Sequence, residues 1–322
     1  MDDLEVRELR YFVAVAEELN FSRAAERLGI AQPPLSRAIR QMERRLGVEL
    51  LVRDTHKVTL TEAGQTLLIE AHHALEVVSA AVHRTRRAGL SAPVLVLTAK
   101  PGVASGLLSR IVDSYRALPG TAKVNIVVSG YRQQAEMVRT GRADLALLSS
   151  PYDDTGLDTE QLTIEPRVAA LPIGHELTRR GKLHCRDLAG LPMPQWPESS
   201  PTERAYWSGQ DRDFSGTRTI EPRTDLQITG PIVNDPTQLL EVVSLGQAVA
   251  LIPLSLAQTN PRTDIAYRPV DDASPYTLAI AWPAGARARS TASFVRTAID
   301  LTTQEHRATE HGAMEGRCRV TS

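Results

Sequence analysis

The sequence predicts an α/β protein in which a helical N-terminal region precedes a longer region of alternating strands and helices. Up to about Arg87, apolar residues recur at the spacing of amphipathic helices. Segment 84–93, which contains glycine and proline, interrupts this pattern and marks a boundary. Beyond it, short β-branched runs alternate with amphipathic stretches, and this alternation favours an α/β fold with parallel strands.

Two helices around a tight turn are predicted within residues 21–46. Ser22 is expected to cap the first helix, because a serine hydroxyl can accept a hydrogen bond from the free N–H groups there. Gly29 is expected to end it, since glycine readily adopts the left-handed conformation that closes a helix. Pro33 and Pro34 predict the start of the second helix, because proline has no N–H to lose in a first turn.

The second predicted helix has one apolar face and one face of hydrogen-bond donors. Its apolar stripe consists of Leu35, Ile39, Met42 and Leu46. The opposite face carries Ser36, Arg37, Arg40, Gln41 and Arg44. Such side chains can donate to phosphate oxygens and to base edges in the major groove. A solvated helix surface is the alternative, but the short capped helix and compact turn before it favour a DNA-binding helix-turn-helix.

Flanking segments extend this motif into a winged helix-turn-helix. A first helix is predicted to pack behind the motif through Leu9, Phe12, Val13, Ala16 and Leu19. After the second helix of the motif, short apolar pieces at 48–52 and 58–60 flank a polar loop, as in a β wing. Arg53, His56 and Lys57 would then lie against the sugar-phosphate backbone or a minor groove. For His56, an exposed loop histidine without such a role is the alternative.

Several of these runs resemble the LysR-type transcriptional regulators. The resemblance lies in residues 9–17, 22–28, 31–37, 46–47 and 60–64, which read LRYFVAVAE, SRAAERL, AQPPLSR, LG and LTEAG. Together with the helix pattern, it implies DNA contacts at Ser22, Arg23, Gln32, Pro33, Pro34, Ser36, Arg37, Arg40, Gln41 and Arg53. The resemblance further implies tetramers and contact with RNA polymerase.

A long helix is predicted over residues 61–89, starting from a cap at Thr61. Its apolar positions follow the steps of a coiled-coil seam, namely Leu68, Ala71, Leu75, Val78 and Val82. We expect this seam to join two copies of the chain as a homodimer, and docking of the helix on its own domain is the alternative. His72 and His73 point in different directions on a helix, so a metal site is not expected there.

The α/β region predicts two units. The first is a βαβαβ unit with elements at 94–97, 107–115, 124–128, 135–139 and 144–148. The second, from about 165 to 268, has strands and helices at 168–171, 202–207, 237–245 and 248–252. A final strand and helix at 276–282 and 290–301 would return to the first unit, and residues 209–230 are predicted to be irregular.

Two such units resemble the two-lobed, periplasmic-binding-protein-like effector domain of the same family, most clearly at 141–148 and 242–253. We therefore expect a winged helix-turn-helix at 1–60, a linker and dimerisation helix at 61–89, an effector-binding domain at 90–302 and a flexible tail at 303–322. Lobe I would take about 93–162 and 269–302, and lobe II about 163–268.

A ligand is expected outside the carboxyl ends of the strands, where helix N-termini present free N–H groups. Lys100 follows the first strand of the α/β region and would pair with a carboxylate ligand. The other expected effector contacts are Thr98, Ser129, Gly130, Ser199, Ser200, Thr202 and Asn234. Solvated loop residues, turn formers and helix caps are the alternative for these positions.

Composition limits the remaining possibilities. The 322 residues are 42% hydrophobic with a net charge of −1, which is ordinary for a globular protein, but basic residues are concentrated in 23–57. Cys185 and Cys318 lie far apart, so neither a disulfide framework nor a zinc site is predicted. No signal peptide and no apolar run of membrane-spanning length are evident, and we expect a cytoplasmic protein without contact to a membrane.

These features predict a transcriptional regulator that binds double-stranded DNA and responds to a small-molecule effector, without cofactor or metal. A solute-binding receptor without a promoter-specific role is the alternative, which the fused helix-turn-helix disfavours. An enzyme is not expected, because no G-x-S-x-G, phosphate-cradling glycine loop or paired metal ligands occur. A redox sensor would need a second cysteine near Cys185.

Overall fold

The computed structural model describes residues 4–53, 57–90, 92–102, 105–212 and 228–318. The chain divides into two compact units, Met1–Gly89 with Arg139–Arg142 and Leu90–Val138 with Ala143–Ser322. Among the helices in the described ranges, none combines the length and the apolar character that crossing a lipid bilayer requires.

The described part of the first unit consists of helices and a small antiparallel sheet. In chain order these are α1 (Val6–Glu18), α2 (Phe21–Leu28), α3 (Gln32–Leu46), β1 (Leu51–Arg53), β2 (Val58–Leu60) and α4 (Glu62–Ala88). β1 pairs with β2, and Leu51 lies opposite Leu60. The predicted winged helix-turn-helix is confirmed, while residues 54–56, with the predicted contact His56, lie outside the described residues.

The capping residue of α2 differs from the prediction. Asn20 is the N-cap, and its side-chain oxygen accepts hydrogen bonds from the N–H groups of Ser22 at 2.9 Å and Arg23 at 3.1 Å. The prediction of Ser22 as the cap is wrong, because Ser22 lies in the first helical turn, where its own N–H needs a partner. Gly29 ends α2 with a φ of +66°, as predicted.

One apolar core orients the helices of this unit. Phe12 of α1 is buried in it together with Leu35, Ile39 and Met42 of α3. α4 approaches closely at Gly64, where a Cβ atom would lie 2.1 Å from the carbonyl oxygen of Leu50. Truncating a buried Leu, Ile or Met costs about 2–5 kcal/mol, so the stripe of α3 holds that helix firmly and leaves its polar side in solvent.

The predicted seam of α4 lies in two environments. Ala71 is buried in the core of its own unit, and Leu68 and Leu75 pack against that core. Farther along the seam, Val78 is partly buried and Val82 is 44% exposed, while Val77, which lies outside the predicted seam, is 68% exposed. The first part of the seam therefore docks on its own domain, which was the alternative, and the later part of the helix presents apolar side chains to solvent.

The described part of the second unit alternates strands and helices. In chain order they are β3 (Val94–Ala99), α5 (Ser105–Arg116), β4 (Lys123–Val128), α6 (Gln133–Arg139), β5 (Leu145–Ser149), β6 (Leu157–Glu165), β7 (Arg167–Pro172), a 3-10 helix (Glu176–Arg179), α7 (Cys185–Leu188), α8 (Pro201–Ser208), α9 (Pro236–Ser244), β8 (Ala250–Pro253), α10 (Leu254–Thr259), β9 (Ile265–Pro269), β10 (Tyr276–Pro283) and α11 (Arg289–Cys318). These elements form two sheets with helices around them, which we call lobe I and lobe II.

Lobe I contains a five-stranded sheet in the order β4-β3-β5-β10-β6. β3 is parallel to β4 and β5, and β10 is antiparallel to β5 and β6. The predicted βαβαβ unit and the return of the last strand and helix are confirmed. β6 was not predicted, because most of its positions are polar and give little alternation. α11 continues to Cys318, past the end at Leu301 that the pattern predicts and into the region expected to be a tail.

Lobe II is built on a three-stranded sheet in the order β8-β7-β9. It combines strands and helices as predicted, but both of its pairings are antiparallel. β9 is an additional strand that the sequence did not predict, since it has only five residues and ends in polar ones. Of the segment 209–230 that was predicted to be irregular, residues 213–227 lie outside the described ranges.

Two connections join the lobes, and Arg167 ties them together. Pro166 alone separates β6 from β7, whereas residues 270–275 separate β9 from β10. Arg167 is buried, and its Nε donates a hydrogen bond to the carbonyl oxygen of Ser274 at 2.5 Å. Its Nη1 donates to the carbonyl oxygen of Tyr206 at 2.6 Å, and the guanidinium lies 3.8 Å from the centre of the Tyr206 ring.

Candidate functional site

The polar side of α3 forms a continuous exposed surface. Gln32, Pro33, Pro34, Arg37, Arg40 and Gln41 are exposed, and Ser36 is partly exposed. Because the apolar stripe of the helix is fixed in the core, these side chains cannot turn inward. The surface offers guanidinium, amide and hydroxyl donors, which suit phosphate oxygens and base edges.

The arginines around this surface fall into two groups. Several form ion pairs with glutamates of the same unit, including Arg27 with Glu17 at 2.6 Å and Arg45 with Glu8 at 2.6 Å. By contrast, no ion pair with any described residue is found for the α3 side chains Arg37, Arg40 and Arg44. The unpaired guanidinium groups keep their charge and donors available for phosphate groups.

Arg53 of the wing is fixed next to α3. Its Nη2 donates a hydrogen bond to Oε2 of Glu43 at 2.7 Å, and its guanidinium lies 5.0 Å from the centre of the Phe21 ring. The other oxygen of Glu43 accepts hydrogen bonds from the N–H groups of Leu50 at 3.1 Å and Leu51 at 3.2 Å. Glu43 therefore connects α3 with the wing and sets the position of Arg53.

A cavity of about 790 Å³ lies between the two sheets of the second unit, and we call it the Lys100 cavity. Lys100 lines it directly after the carboxyl end of β3, and Tyr131 lines it in the loop that follows β4, at the edge where the sequence predicts a ligand. Lobe II contributes residues that include Trp196, Trp207 and Asn234. The remaining wall combines polar and charged side chains with the aliphatic residues Leu107, Leu239, Ile252, Leu256 and Leu278.

Lys100 places its ammonium group against aromatic rings. Its Nζ lies 5.4 Å from the ring centre of Tyr131 and 5.8 Å from that of Trp207. Burial lowers the pKa of Lys100 to about 8, while the negative charge of Glu203 acts in the opposite direction. The structure shows no hydrogen bond or ion pair between Nζ and a described residue. The group is thus mostly charged at neutral pH and lacks an anionic partner in contact with it.

The aromatic side chains of the cavity form a connected wall. Tyr131 of lobe I stacks on Trp196 of lobe II, with ring centres 4.8 Å apart and planes at 15°. Trp207 is tilted against Trp196 at 6.2 Å and against Tyr276 at 6.4 Å. The Trp207 indole N–H donates to the Tyr131 hydroxyl oxygen at 3.3 Å, and this hydroxyl donates to Glu203 at 3.3 Å. Burial, followed by the charge of Glu203, raises the pKa of Tyr131.

A polar contact between the lobes lies beside this wall. Arg132 forms an ion pair with the buried carboxylate of Glu203, with Nε and Oε1 at 3.2 Å. Its Nη1 donates a hydrogen bond to the carbonyl oxygen of Glu198 at 2.5 Å. Arg132 and Glu198 both have left-handed backbone conformations, with φ of +65° and +55°.

Thr98 and Ser129 form a buried layer of hydroxyl groups. Their oxygens are 2.8 Å apart, and the Gln134 side chain donates to the Ser129 hydroxyl at 2.7 Å. These hydroxyls bond to one another, and neither residue lines the Lys100 cavity. In the part of the chain that the structure describes, no group of three or more His, Cys, Asp or Glu side chains could hold a metal ion.

Family models match both units of the chain. A bacterial regulatory helix-turn-helix model of the lysR family matches residues 6–65, and a LysR substrate binding domain model matches residues 88–302. The chain belongs to the LysR family of transcriptional regulators. This LysR-type regulator is a DNA-binding protein with an effector-binding domain, and its family consists of oligomeric transcriptional regulators and not of enzymes.

Relatives and solved structures agree with this assignment. The Hca operon transcriptional activator HcaR of Escherichia coli is 32% identical over 287 residues, covering 88% of this LysR-type regulator and 93% of HcaR. AlsR of Bacillus subtilis is 32% identical over 273 residues, covering 83% and 86% of the two chains. The crystal structure of full-length BenM, a regulator found in Acinetobacter baylyi, is similar to this structure with a TM-score of 0.52. The two sequences are 27% identical, and the match covers 94% of this chain and 98% of BenM.

The predicted effector contacts of this LysR-type regulator fall into separate places. Lys100, Gly130 and Asn234 line the Lys100 cavity, whereas Thr98 and Ser129 belong to the buried hydroxyl layer. The remaining three lie outside the cavity: Ser200 is the N-cap of α8, Ser199 bonds to the carbonyl oxygen of Trp196, and Thr202 is exposed. Their contact with an effector stays a prediction.

The aromatic wall was missed by the sequence reasoning. Tyr131, Trp196, Trp207 and Tyr276 are separated widely in sequence, and only folding brings them together. One signal was present, because aromatic residues make up only 4% of the chain and two of its three tryptophans lie in this cavity. Glu203 was likewise missed, since in the sequence it looks like an ordinary residue in the first turn of a helix.

Proposed function

We propose that α3 is the helix that reads the DNA site. Gln32, Pro33, Pro34, Ser36, Arg37, Arg40 and Gln41 would lie in or beside the major groove, with Ser22, Arg23 and Arg53 toward the backbone. The observation that carries this proposal is the exposed row Arg37, Arg40 and Arg44, for which no ion pair with a described residue is found. Arg27, Arg45 and Arg53 nearby are engaged by glutamates, so the row on α3 offers charge that is available to phosphate groups.

The test is a footprint on the DNA immediately upstream of the protein's own gene. Arg37→Ala is expected to abolish protection of a specific site without changing the oligomeric state. Arg27→Ala is the matched control, because Arg27 is paired with Glu17 and is not on α3. The slope of log affinity against log salt concentration is negative, and each lost phosphate contact should make it less negative by about 0.9. An unchanged footprint and slope for Arg37→Ala would remove α3 from this role.

The effector is proposed to be a small molecule with a carboxylate that pairs with Lys100. Support comes from the ammonium group, which has no anionic contact among the described residues, and from the cavity around it. Gly130 and Asn234 also line the cavity, whereas the predicted contacts Thr98 and Ser129 belong to the buried hydroxyl layer and are not among its lining residues.

The assembly is proposed to be a homodimer through α4, paired into a tetramer that contacts RNA polymerase in the cytoplasm. Val77 and Val82 support a partner on the later part of α4, since exposed apolar residues on one helix favour association. HcaR is named as a transcriptional activator, which supports contact with the polymerase. Light scattering of Val77→Lys, with Glu70→Lys as an exposed control on the same helix, tests the dimer. In this assembly, residues 1–60 would form the DNA-binding domain, 61–89 the linker and dimerisation helix, 90–302 the effector-binding domain and 303–322 the C-terminal tail.

A further inference from the structure

We infer that the ligand of the Lys100 cavity is a planar aromatic compound that carries a single carboxylate. The inference rests on the proposed function of this cavity as the effector site and specifies the chemical class of the ligand. Two observations carry the inference. The first is how many charged side chains of the cavity lining have no partner, and the second is the aromatic character of the side chains next to Lys100.

Most charged side chains that line the cavity are already engaged. Among the described residues, the lining contains the charged side chains of Lys100, Arg110, Glu165, Asp235 and Glu305. Arg110 and Glu305 form a two-bond ion pair, with distances of 2.7 and 3.0 Å. The two oxygens of Glu165 accept hydrogen bonds from the backbone N–H and the hydroxyl of Ser255, both at 2.7 Å. These groups therefore offer little to an additional ligand charge.

Asp235 and Lys100 are the remaining two charged residues among the described lining residues. Asp235 is the N-cap of α9 and accepts a hydrogen bond from the N–H of Gln238 at 2.9 Å. Lys100 differs from the other four, because its contacts are the faces of Tyr131 and Trp207. A cation over aromatic faces still gains strongly from an anion in direct contact. Among the described residues that line the cavity, Lys100 is thus the one cation available to pair with a carboxylate.

A second negative charge on the ligand would be repelled. The rest of the lining carries Glu165 and Asp235, and Arg110 is already neutralised by Glu305. Glu203 lies near Lys100 as well, where its charge acts on the ammonium group. Like charges in a partly buried site destabilise each other more than they would in water. A dicarboxylate would bring its second group close to these carboxylates, and no described lining residue offers it a second available cation.

The aromatic side chains next to Lys100 indicate that the part of the ligand attached to the carboxylate is an aromatic ring. A carboxylate bound to Nζ leaves its attached skeleton beside Tyr131 and Trp207, which the ammonium group already touches. Trp196 and Tyr276 extend the same aromatic wall. Aromatic rings stack on such walls with an advantage of about threefold to tenfold in affinity over the burial of the same area. A flat ring therefore fits better than a saturated one of equal size.

Calorimetry on the full-length protein with four matched probes tests this inference. The probes are 2-naphthoate, its fully saturated analogue, 2-naphthamide and naphthalene-2,6-dicarboxylate. We expect 2-naphthoate to bind most tightly, the amide and the dicarboxylate about tenfold or more weakly, and the saturated acid about threefold or more weakly. Each probe differs from 2-naphthoate in one property, so the ratios isolate charge, charge number and aromaticity.

Variants of the cavity residues test which side chain is responsible for each of these affinity ratios. Lys100→Met, which keeps most of the side-chain volume, should remove the preference for 2-naphthoate over its amide. Trp207→Leu should lower the preference for the aromatic acid over the saturated acid and leave the preference over the amide. Lys182→Met is the control, because Lys182 is an exposed lysine of lobe II that pairs with Asp271 outside the cavity. It should leave every ratio unchanged.

Several results would overturn the inference. Equal or tighter binding of the dicarboxylate would refute a single charge, and equal binding of the saturated acid would refute the aromatic body. Failure of 2-naphthoate to bind at millimolar concentration would refute both. These results leave the proposed effector site standing if Lys100→Met still weakens binding of another carboxylate. Carboxylate binding that is insensitive to Lys100→Met would instead refute the proposed anchor itself.

Discussion

Arg132 and Glu198 face each other across the two lobes, and both have left-handed backbone conformations that side chains rarely adopt. The contact between them uses the guanidinium of Arg132 and the main-chain oxygen of Glu198. The Glu198 side chain is exposed and makes no ion pair or hydrogen bond with a described residue. Its carboxylate can therefore be removed without loss of the contact.

Glu198→Gly is expected to stabilise the effector domain. Glycine adopts a positive φ without strain, so the free energy of unfolding should rise by about 1 kcal/mol while the bond from Arg132 is kept. Glu198→Ala is the control, because alanine keeps the strain of a Cβ atom and should not stabilise. Urea unfolding of both variants measures the difference. A glycine variant no more stable than the alanine variant would show that the backbone here is not strained.

Glu43→Ala is expected to weaken both the N-terminal domain and its binding to DNA. The change removes three hydrogen bonds to one partly buried carboxylate, so the free energy of unfolding should fall by about 2–4 kcal/mol. Arg53 then loses its fixed position, and DNA affinity should decrease as well. Glu26→Ala, at an exposed position of α2, should change stability by no more than about 0.5 kcal/mol. Equal behaviour of the two variants in denaturation would contradict this role of Glu43.

Anion binding in the Lys100 cavity should depend on pH. Lys100 has a pKa of about 8, so it is charged below that pH and neutral above it. The affinity for 2-naphthoate is therefore expected to be constant at neutral pH and to fall above pH 8, approaching about tenfold per pH unit. Calorimetric titrations across this range provide the measurement. The residual binding to Lys100→Met should not vary over the same range, and a fall of equal slope in that variant would exclude Lys100 as its cause.

Cys185 is expected to be unreactive in the folded protein. Burial, followed by the nearby charge of Asp272, raises the pKa of its thiol to about 12. The thiolate is the reactive form, so labelling by a disulfide reagent at pH 8 should be about a thousandfold slower than for a free thiol. The measurement uses a Cys318→Ser background and compares native with unfolded protein. Rapid labelling of the native form would reopen a redox role for this cysteine.

Local patterns in the sequence were sufficient to predict the helices of the DNA-binding unit and the side of α3 that is buried. The stripe Leu35, Ile39 and Met42 fixes which side of α3 is buried, and proline and glycine mark the helix ends. The cap at Asn20 was missed because Asn and Ser are both good caps two positions apart, and only the backbone conformation selects one. The pairing of Arg53 with Glu43 was also hidden, since it joins a helix to a strand of the wing.

The proposed effector site could be predicted from the sequence only in part. Lys100 and Gly130 were expected because they follow parallel strands, and the ends of such strands meet at one edge. Trp196 and Trp207 come from lobe II, and their approach to Lys100 depends on how the chain crosses twice between the sheets. Periodicity carries no information on such long-range contacts. The aromatic character of the site therefore became evident only in three dimensions.

The two connections between the lobes differ in length and in the freedom of their backbone, and Arg167 contacts or adjoins both. The first consists of Pro166 alone, whose ring fixes φ, and it leads directly into a buried guanidinium bonded to Ser274 and Tyr206. The second, residues 270–275, is longer and is held by the same side chain at Ser274. A rotation of one lobe against the other would turn about both connections, and Arg167 contacts or adjoins each of them. Because Tyr206 is followed by Trp207, this point lies one residue along the chain from a side chain that lines the Lys100 cavity.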